Sequence, residues 1–207
     1  MQIWRKLGHV FPNSAEHRRQ CRFAAIPIVE HIKGDLFRVY FTDRDTENRA
    51  CVKAMLLELG STVRVVEFTD NILIESGLPG AFDDRGAMGA ALLKNGDETW
   101  FYYTGWNTAA TVPFRLAIGL AIRDETSGTF KRISEGPIID RTTVDPYLTA
   151  SSCVILDRGK FRMWYISCLR WERQADQSLK HHYLVKYAES DDGILWGRDG
   201  TVAIGAL

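Results

Sequence analysis

The chain is short of the features that announce several common functions. Its four cysteines, Cys21, Cys51, Cys153 and Cys168, contain no Cys-x-x-Cys pair, so neither a zinc knuckle nor a redox motif is expected, and they read as buried reduced thiols. There is no surplus of charge. Twenty-six Lys and Arg match twenty-six Asp and Glu, so nothing draws the protein to nucleic acid or an anionic membrane, and a neutral ligand fits this balance better. No apolar run approaches the roughly 20 residues of a membrane-spanning helix. The start, Met1-Gln2-Ile3-Trp4-Arg5-Lys6, lacks the apolar core of a signal peptide, which leads to an expected cytoplasmic location. Gly-rich phosphate loops and the Gly-x-Ser-x-Gly elbow are also missing. No cofactor or metal is expected.

What the sequence does contain is a repeat. Gly34-Asp35-Leu36-Phe37-Arg38-Val39-Tyr40-Phe41-Thr42 recurs as Gly96-Asp97-Glu98-Thr99-Trp100-Phe101-Tyr102-Tyr103-Thr104 and as Gly159-Lys160-Phe161-Arg162-Met163-Trp164-Tyr165-Ile166-Ser167, which spaces Tyr40, Tyr102 and Trp164 62 residues apart. An apolar strand precedes each copy: Ala25–Val29, Met88–Leu93 and Ser152–Leu156. Each pair forms a hairpin. Third strands follow at Ala50–Leu56, Arg115–Ala121 and Tyr183–Ala188, and fourth strands near Val63–Val66, Phe130–Ile133 and Trp196–Val202. Val52–Leu59 leans towards helix but occupies a third-strand position, and is read as strand.

Four antiparallel strands per unit, rich in β-branched and aromatic residues, define blades of a β-propeller. The fold class is therefore all-β, in one partial propeller domain over 1–207: an N-terminal arm at 1–20, then blades at 21–78, 79–141 and 142–207. A β-sandwich would have similar strand spacing, but it does not require internal repetition.

Several segments resemble the five-bladed glycosidase-like propellers, the superfamily of glycoside hydrolase families 32, 43, 117 and 130 and uncharacterised relatives. They are Gly80-Ala81-Phe82-Asp83-Asp84-Arg85-Gly86, Tyr102-Tyr103-Thr104-Gly105-Trp106-Asn107, Phe161-Arg162-Met163-Trp164-Tyr165 and Tyr187-Ala188-Glu189-Ser190-Asp191-Asp192-Gly193-Ile194-Leu195-Trp196. The resemblance implies a glycosidase acting in polysaccharide metabolism, or a non-catalytic carbohydrate-binding propeller. It also implies five blades where this sequence has three, so the chain reads as truncated at its C-terminal end, with possible self-association through uncovered blade faces.

Strand direction selects candidate site residues. If the first strand of each blade runs down from the top face, the second returns to it, so the start of one and the end of the other share a rim around the axis. This places Asp83 and Asp84 as candidate catalytic carboxylates. Candidate substrate-binding residues are Asp43, Arg44, Asp45, Trp106, Asn107, Ser151, Arg170 and Trp171, with Arg22, Ser152 and Glu172 nearby. Carboxylates, guanidiniums and indoles suit a saccharide: acid–base groups, hydroxyl partners and flat apolar faces.

Alternatives stand beside these roles. Asp83-Asp84 could instead cap a turn, Asp43-Arg44-Asp45 could form a rim ion pair, and the tryptophans could pack between blades. Ser134-Glu135-Gly136-Pro137 resembles a catalytic Glu-Gly-Pro of family 43 but follows an outer strand, which argues against it. Ser190–Trp196 resembles the structural Asp-box turn of other propellers. His181 and His182 are adjacent in a strand and face opposite ways, so joint metal ligation is not expected. His9 and His17 lack ligand spacing.

Overall fold

The computed structural model describes residues 6–11, 21–68 and 70–205. Of the expected N-terminal arm only 6–11 is thus described, and His17 lies outside the described residues. Twelve strands form three four-stranded antiparallel sheets in chain order. Blade one contains β1 (Ala25–Lys33), β2 (Leu36–Arg44), β3 (Ala50–Leu59) and β4 (Val63–Phe68). Blade two contains β5 (Ala87–Asn95), β6 (Glu98–Asn107), β7 (Arg115–Arg123) and β8 (Phe130–Arg132). Blade three contains β9 (Thr149–Asp157), β10 (Lys160–Arg173), β11 (Leu179–Ser190) and β12 (Val202–Ile204). The fold is an all-β propeller arc of three blades, and the helix-leaning Val52–Leu59 is strand. One outer strand is shorter than the sequence indicates. Trp196–Val202 is mostly irregular: Gly197 makes an isolated bridge to Glu189, the side chains of Asp192 and Asp199 hold local turns, and the regular strand begins only at Val202.

The repeat is a structural one. Tyr40, Tyr102 and Trp164 pair with the third strand at Ala54, Leu120 and Tyr187 respectively. Tyr40 meets Phe101 and Phe130 of the next blade, while Tyr102 meets Trp196 and donates to Gly193 O. Trp164 faces the side of blade three that no described residue covers. There it stays half-buried against Tyr187, with Ile155, Tyr183 and Ile204 exposed. This also corrects the expectation of four buried thiols. Cys153 pairs with Trp164 on that face and is exposed, whereas the other three cysteines are buried.

Adjacent blades are joined by aromatic cores and by a repeated polar contact. Thr42 Oγ1 accepts from Gly89 N at 3.2 Å, and Thr104 Oγ1 accepts from Ser151 N at 2.9 Å, each pair displaced by 62 residues from the other. Each innermost strand also carries a register shift in its first half, at Ala25/Ile28, Gly89/Ala91 and opposite Trp164/Ile166. Such bulges turn side chains towards the axial rim.

At the opposite end of the blades, Glu30 ties blade one to blade two. It accepts from Arg123 at 3.0 and 3.2 Å and from Tyr40 at 2.8 Å. Burial pushes the Glu30 carboxyl up, but Arg123, Tyr40 and Lys94 more than offset this and bring it down to about 2. A depressed carboxylate stabilises the fold fully above its unfolded pKa and loses that contribution as pH falls towards the folded value. Stability is therefore expected to decline by on the order of 3 kcal/mol between about pH 4.5 and pH 2 on account of this group. Urea midpoints measured across that range should show a slope that Glu30→Gln flattens.

Candidate functional site

Several acids near the rim are already committed. Asp83 sits in the turn before β5 with its side chain 1% exposed, accepting from Arg132 Nε at 2.8 Å and Tyr103 Oη at 3.0 Å. Arg132 also donates to Glu75 O at 2.6 Å, so it clamps both ends of the 75–83 loop. Blade three repeats the arrangement 62 residues later: Asp145 accepts from Tyr165 at 3.0 Å and Arg198 at 2.8 Å, and additionally from Ser167 at 2.7 Å and Lys186 at 3.0 Å.

Blade one has Cys21 and Phe41 at the matching positions and moves the acid to β2. Here Asp43 accepts from Lys53 at 2.9 Å and from the backbone N–H of Arg22 and Phe23 at 2.9 and 3.0 Å. Lys53 and Lys186 are register equivalents, opposite Phe41 and Tyr165. In blade two that position is Gly119, where a Cβ would overlap the Tyr103 and Phe82 rings.

Each blade thus holds one buried acid–base lock between its inner and outer strands. Asp43 and Asp83 are thus engaged inside the blade, Asp43 by Lys53 and two backbone N–H groups and Asp83 through Oδ2 by Arg132 and Tyr103, with Asp83 Oδ1 left without a partner. Asp45 is likewise occupied. It accepts from Arg49 Nε at 2.8 Å and from the N–H groups of Glu47 and Arg49, closing the β2–β3 loop.

The rim between blades one and two is different. Arg44 at the end of β2 places its guanidinium 5.0 Å from the Trp106 ring centroid and 6.0 Å from that of Phe23. Trp106 ends β6, and its main chain exchanges bonds with the turn before β5: Arg85 N to Trp106 O and Trp106 N to Gly86 O, both at 3.1 Å. Arg85 O in turn accepts from Ala50 N, the register partner of Arg44. Arg44, Arg85, Trp106 and Asn107 therefore lie in one patch, with Asp84 adjoining. Asp84 Oδ2 accepts from Gly80 N at 3.0 Å. Asp84 Oδ1, Arg85 Nε, Trp106 Nε1 and Asn107 Oδ1 are all buried without a partner. Leaving a buried polar atom unmatched costs about 1–3 kcal/mol, so four in one patch single it out as the candidate binding place.

The remaining candidates sit on blade three. Ser151 is exposed with φ at 48° in the β9 bulge, a strained conformation for a residue other than glycine. Arg170 and Trp171 lie beyond the bulge, opposite His182 and His181 respectively, on an extended β10–β11 hairpin. Trp171 packs on Phe114 and His181, with centroids at 5.2 and 5.3 Å. Glu172 meets His182 at 2.6 Å and Arg170 at 3.6 Å. Among the described residues no hydrogen bond, ion pair or ring contact joins this hairpin to the Arg44–Trp106 patch. Glu135 is exposed on the outer side of blade two, lining a cavity with Asp83 and Arg132. Ser190 and Asp192 bond only to each other and to local backbone N–H groups. Sequence reasoning passed over Arg85. Its position beside Asp84, in the same turn, was the available signal.

No family model matches the chain. Two uncharacterized proteins of Mycobacterium tuberculosis, from strains CDC 1551 / Oshkosh and ATCC 25618 / H37Rv, are 37% identical over 201 residues. The match takes in 97% of this chain and 66% of theirs, so the chain spans a little under two thirds of these curated relatives. Solved structures agree on architecture. An exo-1,5-alpha-L-arabinanase from a bovine ruminal metagenomic library superposes with a TM-score of 0.59 at 13% identity, over 97% of this chain and 66% of that one. A glycoside hydrolase gives 0.59 at 17%, over 87% and 58%, and a thermostable family-43 glycoside hydrolase gives 0.56 at 16%, over 86% and 55%. These likenesses show the fold, a β-propeller, present here as an arc of three blades.

Proposed function

We propose that the protein acts on a saccharide as a glycosidase, binding the sugar at the Arg44–Trp106 rim and using Asp84 as one of its carboxylates. The observation that carries this reading is the patch of buried, unpartnered polar atoms around the Trp106 indole. Sugar hydroxyls both donate and accept, so they can satisfy an Asp oxygen, an Arg N–H and an amide oxygen together, while the apolar face of the ring stacks on indole. Asp83 and Asp84 each keep a buried oxygen without a partner, but Asp83 is engaged through its other oxygen by Arg132 and Tyr103, whereas Asp84 meets no cation among the described residues.

A second reading, saccharide binding without turnover, is favoured by the same bookkeeping of acids. Glycoside hydrolysis uses two carboxylates, and Asp43, Asp45 and Asp83 are held by Lys53, Arg49 and Arg132. Release of reducing ends from a panel of oligosaccharides separates the two. Under either reading, Trp106→Ala should weaken saccharide affinity about tenfold, since stacking contributes roughly 0.5–1.5 kcal/mol beyond the area it buries. Calorimetric titration showing unchanged affinity would remove Trp106 from the site.

A further inference from the structure

The rim patch has an imbalance of charge that the composition of the whole chain conceals. The chain as a whole is neutral, and the other rim acids are neutralised locally: Asp43 by Lys53, Asp45 by Arg49 and Glu172 by Arg170 or His182. The two arginines of the patch are not. Among the described residues Arg44 donates only to Asn48 O at 3.1 Å and otherwise lies over the Trp106 and Phe23 rings, with no carboxylate within ion-pair distance. Arg85 has its Nε buried without an acceptor, held in place through main-chain bonds to Trp106 and Ala50. Two half-buried arginines thus lie in the patch without an ion-pair partner among the described residues, and the adjoining carboxylate, Asp84, has its Oδ2 bonded to Gly80 N.

Resting on the saccharide reading above, we infer that the ligand of this rim is an anionic saccharide, carrying a carboxylate or phosphate group that Arg44 and Arg85 bind while Trp106 stacks on the ring. A guanidinium presents N–H groups in a planar fork that matches the two oxygens of a carboxylate or phosphate, and charge-assisted bonds of this kind are about twice as strong as neutral ones. A neutral hydroxyl offers one oxygen and no compensating charge. Stacking Arg44 on Trp106 fixes the guanidinium plane before the ligand arrives, which lowers the ordering cost of binding.

The test titrates the 207-residue chain calorimetrically with an oligosaccharide of uronic acids and with its methyl ester, a neutral compound of nearly the same shape. Glucose 6-phosphate against glucose serves as a parallel pair that distinguishes phosphate from carboxylate. One anionic member should bind at least about tenfold tighter than its neutral counterpart at low salt, the preference shrinking as salt screens the charges. Arg44→Gln and Arg85→Gln should each remove most of the preference, weakening the anionic member far more than its neutral counterpart. Trp106→Ala should weaken both members alike. Near-UV circular dichroism checks each variant, and Arg85→Lys, which keeps the charge but loses the fork, replaces Arg85→Gln if that variant does not fold.

Equal affinity for both members of each pair, with Trp106→Ala still weakening them, would overturn the anionic inference and leave the saccharide reading intact. A preference that survives both arginine substitutions would overturn the assignment to these residues. Displacement by inorganic phosphate at the same concentration would reduce the site to a bare anion site. Failure of every sugar to bind would overturn the saccharide reading and this inference with it.

Discussion

Asp145→Ala is expected to destabilise the protein by about 3–5 kcal/mol, the usual cost of breaking a buried ion pair from one side. The Asp145 side chain is 0% exposed and accepts from four side chains. Removing it leaves the Lys186 ammonium and the Arg198 guanidinium facing each other and two hydroxyls without their acceptor. Burial pushes the Asp145 carboxyl up, while the bonds from Ser167, Lys186 and Tyr165 more than reverse this and hold it below the usual carboxylate range. Its stabilisation is accordingly complete above the unfolded carboxylate pKa and drains away as pH falls through the folded one. A lower urea midpoint with an unchanged m-value would register the loss. A Cm equal to wild type would show that the lock contributes nothing to the fold. Replacing Asp145, Lys186 and Arg198 together by apolar residues should cost less than Asp145→Ala alone, because no uncompensated charge remains.

That lock also shows what could and could not be read from the sequence. The 62-residue spacing of Tyr40, Tyr102 and Trp164 identified strands, blades and their order, since each blade reuses one pattern of apolar alternation. The same spacing links Asp83 to Asp145 and Tyr103 to Tyr165, so half of each lock stands in plain view, although of these four residues only Asp83 is singled out from the sequence, as a rim carboxylate. The cationic half was hidden by loop length. Between Tyr103 and its cross-strand partner Gly119 the chain has 16 steps, whereas from Tyr165 to Lys186 it has 21, because the β10–β11 hairpin is longer. Arg132 and Arg198 consequently fall out of period and look unrelated.

Strand direction puts Arg44 and Trp106, from different blades, at neighbouring strand ends, and their side chains meet there. It could not separate Asp83 from Asp84, for in an irregular turn two neighbours point by local hydrogen bonding and not by alternation. The bond from Arg132 turns Asp83 inwards, and the bond to Gly80 N holds Asp84.

Those two neighbours give the sharpest comparison for the proposed activity. On whichever saccharide the protein turns over fastest, Asp84→Asn is expected to lower kcat/KM by about 10²–10⁴, the range general acid–base groups contribute. Asparagine keeps an oxygen to accept from Gly80 N and is close to the same size, so the 75–86 turn should survive and the Tm should stay within about 2 °C. What it cannot do is gain and lose a proton. Asp83→Asn should behave in the opposite way. It leaves the Arg132 guanidinium without its counter-charge inside the blade, so the Tm should drop by several degrees, roughly 4 °C or more, while the fraction that remains folded keeps its turnover, because Asp83 does not face the rim. Melting curves and initial rates on the two single variants resolve the roles together. An Asp84→Asn protein with wild-type turnover would remove the carboxylate from the reaction and leave the rim as a binding site alone. Loss of turnover in Asp83→Asn at a temperature where it is fully folded would return Asp83 to the chemistry.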